Sequence, residues 1–139
     1  MGADAQQTLS AFREAEAYDG PSLIIAYCHC IAHGYDMSDG LDQQYRAVAS
    51  GHWPLIRYNP VLRAAGRNPF LLDSPRPRMR LADYRRRELR FRALADTNPA
   101  EAERLEGLAQ QTVLLRWKTY EGMATRGAEE FPSDARKER

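Results

Sequence analysis

Cysteine is nearly absent: Cys28 and Cys30 are the only thiols in 139 residues. Long apolar runs are missing too, since none approaches the roughly 18 residues of a membrane span, and a membrane-embedded chain is excluded. The start, MGADAQQTLS, has neither a basic n-region nor an apolar h-region, so it is no secretory signal, and a cytoplasmic location is expected. A strong charge of either sign is lacking as well. The formal net charge of +1 argues against a general nucleic-acid binder. There are no internal repeats and no low-complexity blocks. With 43% hydrophobic and 28% charged residues, what remains is one ordinary globular domain, or a piece of one, with a small core.

The charge that is present is unevenly placed. Residues 1–60 hold three Arg against seven acids (net −4), and residues 61–139 hold 17 bases against 12 acids (net +5). Such asymmetry marks either a binding face or a solvated helix surface. The cluster RRRELRFR, with Leu89 and Phe91 among its arginines, suits an amphipathic helix better than a phosphate-binding tail. It would dock an acidic partner or make intramolecular contacts.

Periodicity outlines the elements. TLSAFREAEAY places Leu9, Phe12 and Ala15 on one helical face, closed by Asp19, Gly20 and Pro21. SLIIAY, residues 22–27, is continuously apolar, the pattern of a strand buried on both faces in a parallel sheet. Met37, Leu41, Tyr45 and Val48 form a second helical stripe that ends at Gly51. HWPLIRYNP offers a second strand starting after Pro54. Helix, strand, helix, strand predicts an α/β unit over 1–60, and two strands alone do not make a stable parallel sheet, so the unit reads as truncated. Residues 61–80, rich in Pro, Gly and Arg, are expected to form a connecting loop. A mostly helical extension is expected over 81–126, with Leu81, Tyr84, Phe91 and Leu94 on one face. Its second helix is capped by Asn98, with Pro99 at the first helical position and Glu101 closing a capping box, and continues through Leu105, Leu108, Leu115 and Met123. Residues 127–139 read as a frayed polar tail. Trp53, Trp117, Tyr45, Tyr58 and Tyr120 are expected in a core or an interface.

Chemistry concentrates in YCHCIAHG, where Cys28, His29, Cys30 and His33 follow the apolar run. Four readings are open: a buried structural pair of thiols, a zinc site on Cys28, Cys30 and His33 that lacks a second ligand pair, a strained disulfide, and an iron–sulfur ligand whose partners lie outside the chain. Position favours the last, because open α/β sheets gather functional groups just beyond the carboxyl ends of their strands. Asp36, Ser38, Asp39 and Asp42 fail the spacing of a calcium loop and read as capping or solvent-facing residues.

The block GPSLIIAYCHCIAHGYDMSDGLDQQYRAVASGHWPLIRYNP, with NPFLLDSPRP and NPAEAERLEGLAQQ, closely resembles the carboxyl-terminal end of pyruvate:ferredoxin (flavodoxin) oxidoreductases. The resemblance runs from about Met1 to about Met123. It implies the last part of a thiamine pyrophosphate domain followed by the family's helical extension. The complete enzymes convert pyruvate and coenzyme A to acetyl-CoA and carbon dioxide, use thiamine pyrophosphate with magnesium, and pass electrons through 4Fe-4S clusters to ferredoxin or flavodoxin. On this resemblance Cys30 is one ligand of a 4Fe-4S cluster, with three ligands outside the chain. Cys28 falls where the family commonly carries serine, and it and His33 would surround the cluster without ligating it. His33 would bond to a cluster sulfur, or else pack or cap the following helix. The Gly-Asp-Gly motif that holds the diphosphate and magnesium has no counterpart here, nor do the pyruvate and coenzyme A residues. The isolated chain is therefore expected to be inactive and to hold no cofactor. The alternative is a free-standing module that binds a separate thiamine and iron–sulfur subunit through its strand edge and arginine-rich helices.

Overall fold

The computed structural model describes residues 2–131. Helix α1 (Ala5–Ala17) opens on Asp4, whose carboxylate accepts the Gln7 amide at 2.9 Å. Its apolar residues Leu9 and Phe12 nonetheless lie exposed. The helix is tied down by polar contacts, chiefly Glu14 to Arg57, whose guanidinium also grips Asp73 bidentately at 2.7 and 2.8 Å. Helix α2 (Gly40–Ala49) stops at Ser50 and Gly51 as its sequence predicts. However, its buried face is Gln43, Gln44, Ala47 and Val48, while Leu41 and Tyr45 of the expected stripe face outward.

Strand β1 (Ile56–Tyr58) begins just after Pro54 and pairs with β2 (Phe70–Leu72), with Arg57 opposite Leu71. The pairing is antiparallel, and it is the only sheet among the described residues. Mixed helix and strand thus hold as the class, but the parallel pairing of 22–27 with 55–60 does not occur here. Residues 22–27 form no strand. A strand needs a neighbour to receive its backbone groups, and among the described residues no backbone hydrogen bond reaches Leu23, Ile24, Ile25, Ala26 or Tyr27. The 61–80 segment carries two short elements within its connecting stretch: α3 (Pro60–Ala64), capped by Asn59, at its start, and β2 in its middle. Its arginines and prolines hid the short apolar stretch that pairs with β1.

The helix expected from Leu81 onward is split into α4 (Leu81–Arg85) and α5 (Leu89–Thr97). Glu88, between them, is extended (φ −107°, ψ 125°), which turns its carboxylate inward instead of along a helix surface. Helix α6 (Pro99–Ala124) starts where predicted, with the Asn98 side chain accepting the Glu101 amide at 3.2 Å. The reciprocal half of the capping box is not formed. Glu101 turns instead to Arg104, and the Asn98 amide is used by Leu94 at 2.7 Å.

The core lies where α2, α4 and α6 meet, around Ala47, Leu81, Tyr84 and Val113, with Tyr27, Trp53 and Phe91 packed against it. On α6 it takes Val113 and Trp117, one turn apart, whereas Leu105, Leu108 and Leu115 face outward. Gln110 reaches from α6 to cap α4, accepting the Leu81 amide at 2.9 Å. Phe131 is buried and its ring lies 6.2 Å from that of Tyr58, so the start of the expected frayed tail is packed. The rest of that tail lies outside the described residues. Among those described, no helix is long and apolar enough to cross a membrane.

Candidate functional site

The Cys-His-Cys loop inherits the alternation of an extended chain. Tyr27 and His29 turn inward and Cys28 and Cys30 turn out, because successive side chains of extended backbone point to opposite sides. Tyr27 stacks on Trp53 at 5.2 Å, and its hydroxyl lies 2.7 Å from that of Tyr84. His29 sits over α2. Its Nδ1 is 2.8 Å from Gln44 Nε2, and its ring occupies the space a Cβ on Gly40 would need. Gln44 Oε1 accepts the Gly2 amide, which leaves its Nε2 to donate to His29 and places the His29 proton on Nε2.

Both thiols are free and exposed, which overturns a buried structural pair and leaves no disulfide. Cys28 Sγ–H donates to the His29 carbonyl at 3.3 Å. Cys30 has no side-chain partner among the described residues. It precedes the 3-10 turn Ile31–His33, and its carbonyl accepts the His33 amide at 2.9 Å. No group of three or more metal-ligating side chains gathers among the described residues, so the zinc reading lacks a ligand set here.

His33 lies half-buried between the rings of Tyr27 and Tyr35, each 6.4 Å away. It does not cap the following helix. Its Nδ1 is buried, without a hydrogen-bond partner, and 4.0 Å from Glu88. The turn closes at Gly34 in the left-handed region (φ 71°), and its carbonyl accepts the Leu89 amide at 3.1 Å. A Cβ on Gly34 would lie 2.4 Å from that of Leu89. Left-handed strain and overpacking then act together, so Gly34→Ala is expected to cost about 3 kcal/mol in urea unfolding. A loss below about 1 kcal/mol would show that the loop repacks freely.

Asp36 caps the turn at Met37–Asp39, accepting from the Ser38 amide and hydroxyl, and those bonds hold its carboxyl below the ordinary range. Asp39 and Asp42 pair with Arg87, and Asp42 also with Arg46. The arginine-rich segment thus spends Arg87 and Arg90 on intramolecular contacts.

Behind the loop, His52 lies 4.7 Å from the Tyr84 ring, and burial, then Arg85 and Arg90, push its pKa down to about 4. A histidine near 6.5 when unfolded and near 4 when folded takes up about one proton on unfolding between those values. Stability is therefore expected to fall as pH drops from 6.5 to 4 and to level off below. His52→Gln should flatten that slope in pH-dependent denaturant titrations; an unchanged slope would place its origin elsewhere.

Next to the loop, an open groove of about 1290 Å³ runs along residues 22–27, lined by Phe12, Leu23, Ile25, Trp53, Ile56 and Tyr120. Leu23 is 84% exposed, Ile25 70% and Ile31 79%. Leu23 and Ile25 thus present exposed apolar surface along the groove, and Ile31 adds another exposed apolar side chain in the loop.

Sequence reasoning missed the inward-facing support, Gln43, Gln44 and above all Glu88, and gave His29, which it did single out, no such role. One signal was available, the lone acid among the arginines of RRRELRFR.

No protein-family model matches the chain. It is 48% identical over 126 residues to a pyruvate-flavodoxin oxidoreductase of Nostoc sp., covering 91% of this chain and 10% of that protein. A pyruvate-flavodoxin oxidoreductase of Rhodospirillum rubrum is 46% identical over 89% of the chain and 10% of its own length. For a pyruvate:ferredoxin oxidoreductase of Moorella thermoacetica the figures are 43%, 89% and 11%. The chain spans about a tenth of the length of the curated relatives it matches.

Proposed function

We propose, for a chain that belongs to the pyruvate-flavodoxin oxidoreductase family, that it is the carboxyl-terminal part of such an enzyme. In this reading it lends Cys30 to a 4Fe-4S cluster and residues 22–27 to a parallel sheet completed by polypeptide outside this chain. One observation carries the reading: Cys30, an exposed thiol without a side-chain partner, lies just beyond the apolar residues Leu23, Ile24, Ile25 and Ala26, which are exposed and receive no backbone hydrogen bond among the described residues. The apolar run then makes sense as a strand whose neighbours lie elsewhere. Residues 1–60 would close a thiamine pyrophosphate domain, and 81–126 would pack over it as a helical extension.

The donor set fits one corner of a cluster. A 4Fe-4S cluster takes four thiolates, and Cys30 offers one, free of disulfide and turned outward. When bound, the cluster supplies one-electron transfer. The chain's own work is to hold the sulfur in place, through the 3-10 turn, Gly34 and the inward anchors Tyr27 and His29. Thiamine pyrophosphate and magnesium do not fit these residues. No Gly-Asp-Gly motif occurs in the chain, and the complete enzyme would bind both elsewhere. That complete enzyme would oxidise pyruvate with coenzyme A to acetyl-CoA and carbon dioxide and reduce ferredoxin or flavodoxin. The purified chain alone should not reduce a viologen dye with pyruvate and coenzyme A.

The exposed groove fits a separate subunit as well as a covalent neighbour, so one experiment addresses both. Deleting this segment from a complete oxidoreductase should remove one cluster, read as about four iron atoms and one component of the low-temperature EPR spectrum. Adding the 139-residue chain back separates the forms: restoration supports a free-standing module, and failure to restore supports a covalent part. An undiminished cluster count would overturn both.

A further inference from the structure

We propose that Glu88 is the positioning residue of the Cys28–Cys30 loop, one buried carboxylate that holds Arg90 against Tyr27 on one flank and faces His33 on the other. Its side chain is wholly buried, where an ionised group persists only with partners. Gln43 Nε2 donates to Oε1 at 2.8 Å, and Arg90 Nε donates to Oε2 at 2.5 Å. Arg90 also reaches Tyr27, the residue before the loop, through Nη2 to the hydroxyl at 3.0 Å. The Tyr84 hydroxyl meets Tyr27 from the other side at 2.7 Å, and the Glu88 carboxylate and Tyr27 both help burial hold the Tyr84 phenol far above its usual range. On the far flank, His33 turns its buried Nδ1 toward Oε2, 4.0 Å away. One residue on, the Leu89 amide donates to the Gly34 carbonyl at 3.1 Å.

Two segments far apart in sequence are thereby clasped. The extended backbone at Glu88, which breaks the helix between α4 and α5, is what lets one residue serve both flanks. Thiols on a loop with few contacts of its own then sit on a frame fixed from behind, as a ligand site requires.

Glu88→Gln keeps the shape but turns one acceptor oxygen into a donor that faces Gln43 or Arg90, both already donors. The functional weight of this inference rests on Cys30 as the ligand, but its test does not, because loop order is read in the 139-residue chain without a cluster. Amide order parameters from ¹⁵N relaxation should fall over residues 27–34 from about 0.85 to below about 0.6, with α6 unchanged. Glu88→Asp should restore at least half of the loss. Values over 27–34 that stay near 0.85, or a loss spread equally over α6, would overturn the proposal. If Glu88→Gln gives no dispersed spectrum, Tyr84→Phe serves in its place: it keeps the ring and removes one Tyr27 anchor, and order should fall at 27–30 alone. Unchanged order there would overturn the proposal equally. Loss of a cluster on Cys30→Ala in the complete enzyme is a separate result that neither outcome can mimic.

Discussion

Cys30→Ala in a complete oxidoreductase carrying this segment is expected to remove one 4Fe-4S signal from the reduced EPR spectrum and to cut pyruvate-driven dye reduction by more than about 100-fold. Losing a residue that merely supports a ligand costs about 10- to 100-fold, and losing the ligand itself should exceed that. Cys28→Ala is the matched control. The two sulfurs lie on the same outer side of extended backbone, with their α-carbons about 6–7 Å apart at 3.2–3.4 Å per residue. A cluster corner fixed by three other thiolates does not move that far, so Cys28 should not rescue Cys30→Ala. The control should keep both the signal and the activity. If Cys28→Ala loses the cluster and Cys30→Ala keeps it, the assignment of the ligand is reversed. If both keep it, the loop contributes no ligand.

Tyr84→Ala is expected to destabilise the chain by about 4 kcal/mol, the range for deleting a fully buried aromatic ring. Tyr84 has no exposed surface, and Ala47, Leu81 and Val113 surround it in the core. A domain of this size has about 5–15 kcal/mol to lose, so the variant should sit close to its unfolding transition at room temperature. Tyr84→Phe separates packing from polarity. It keeps the ring over His52 and loses the hydroxyl, which meets Tyr27 and also interacts with the Glu88 carboxylate, while the Tyr27 hydroxyl retains Arg90. A cost of about 1 kcal/mol is expected. Equal costs for the two variants in urea titrations would mean that the hydroxyl pair, and not the ring, holds α4 to the loop.

The sequence by itself determined the features that depend on neighbours along the chain. Asn98 and Pro99 announced the start of α6, because a cap needs only the next three residues. Gly51 marked the end of α2, and Pro54 delayed β1 until Ile56. YCHCIAHG marked Cys30 as a residue of chemical interest with four readings open, and the resemblance that favoured a ligand came from motifs along most of the chain.

Tertiary structure decided whatever depends on a partner far away in the chain. Residues 22–27 have the composition of a buried strand, but a strand exists only with its neighbours, and here they form none, with Leu23, Ile24, Ile25 and Ala26 exposed and only Tyr27 packed inward. The leucines of α6 follow helical spacing, yet the side chains buried from it are Val113, which meets Ala47 of α2 and Leu81 and Tyr84 of α4, and Trp117 one turn on. Glu88 looked like one solvated charge among arginines. It is buried because Gln43, 45 residues away, and Arg90 give it the partners that a carboxylate out of water requires. Periodicity reports which side of an element is apolar, and only the fold decides which side is covered.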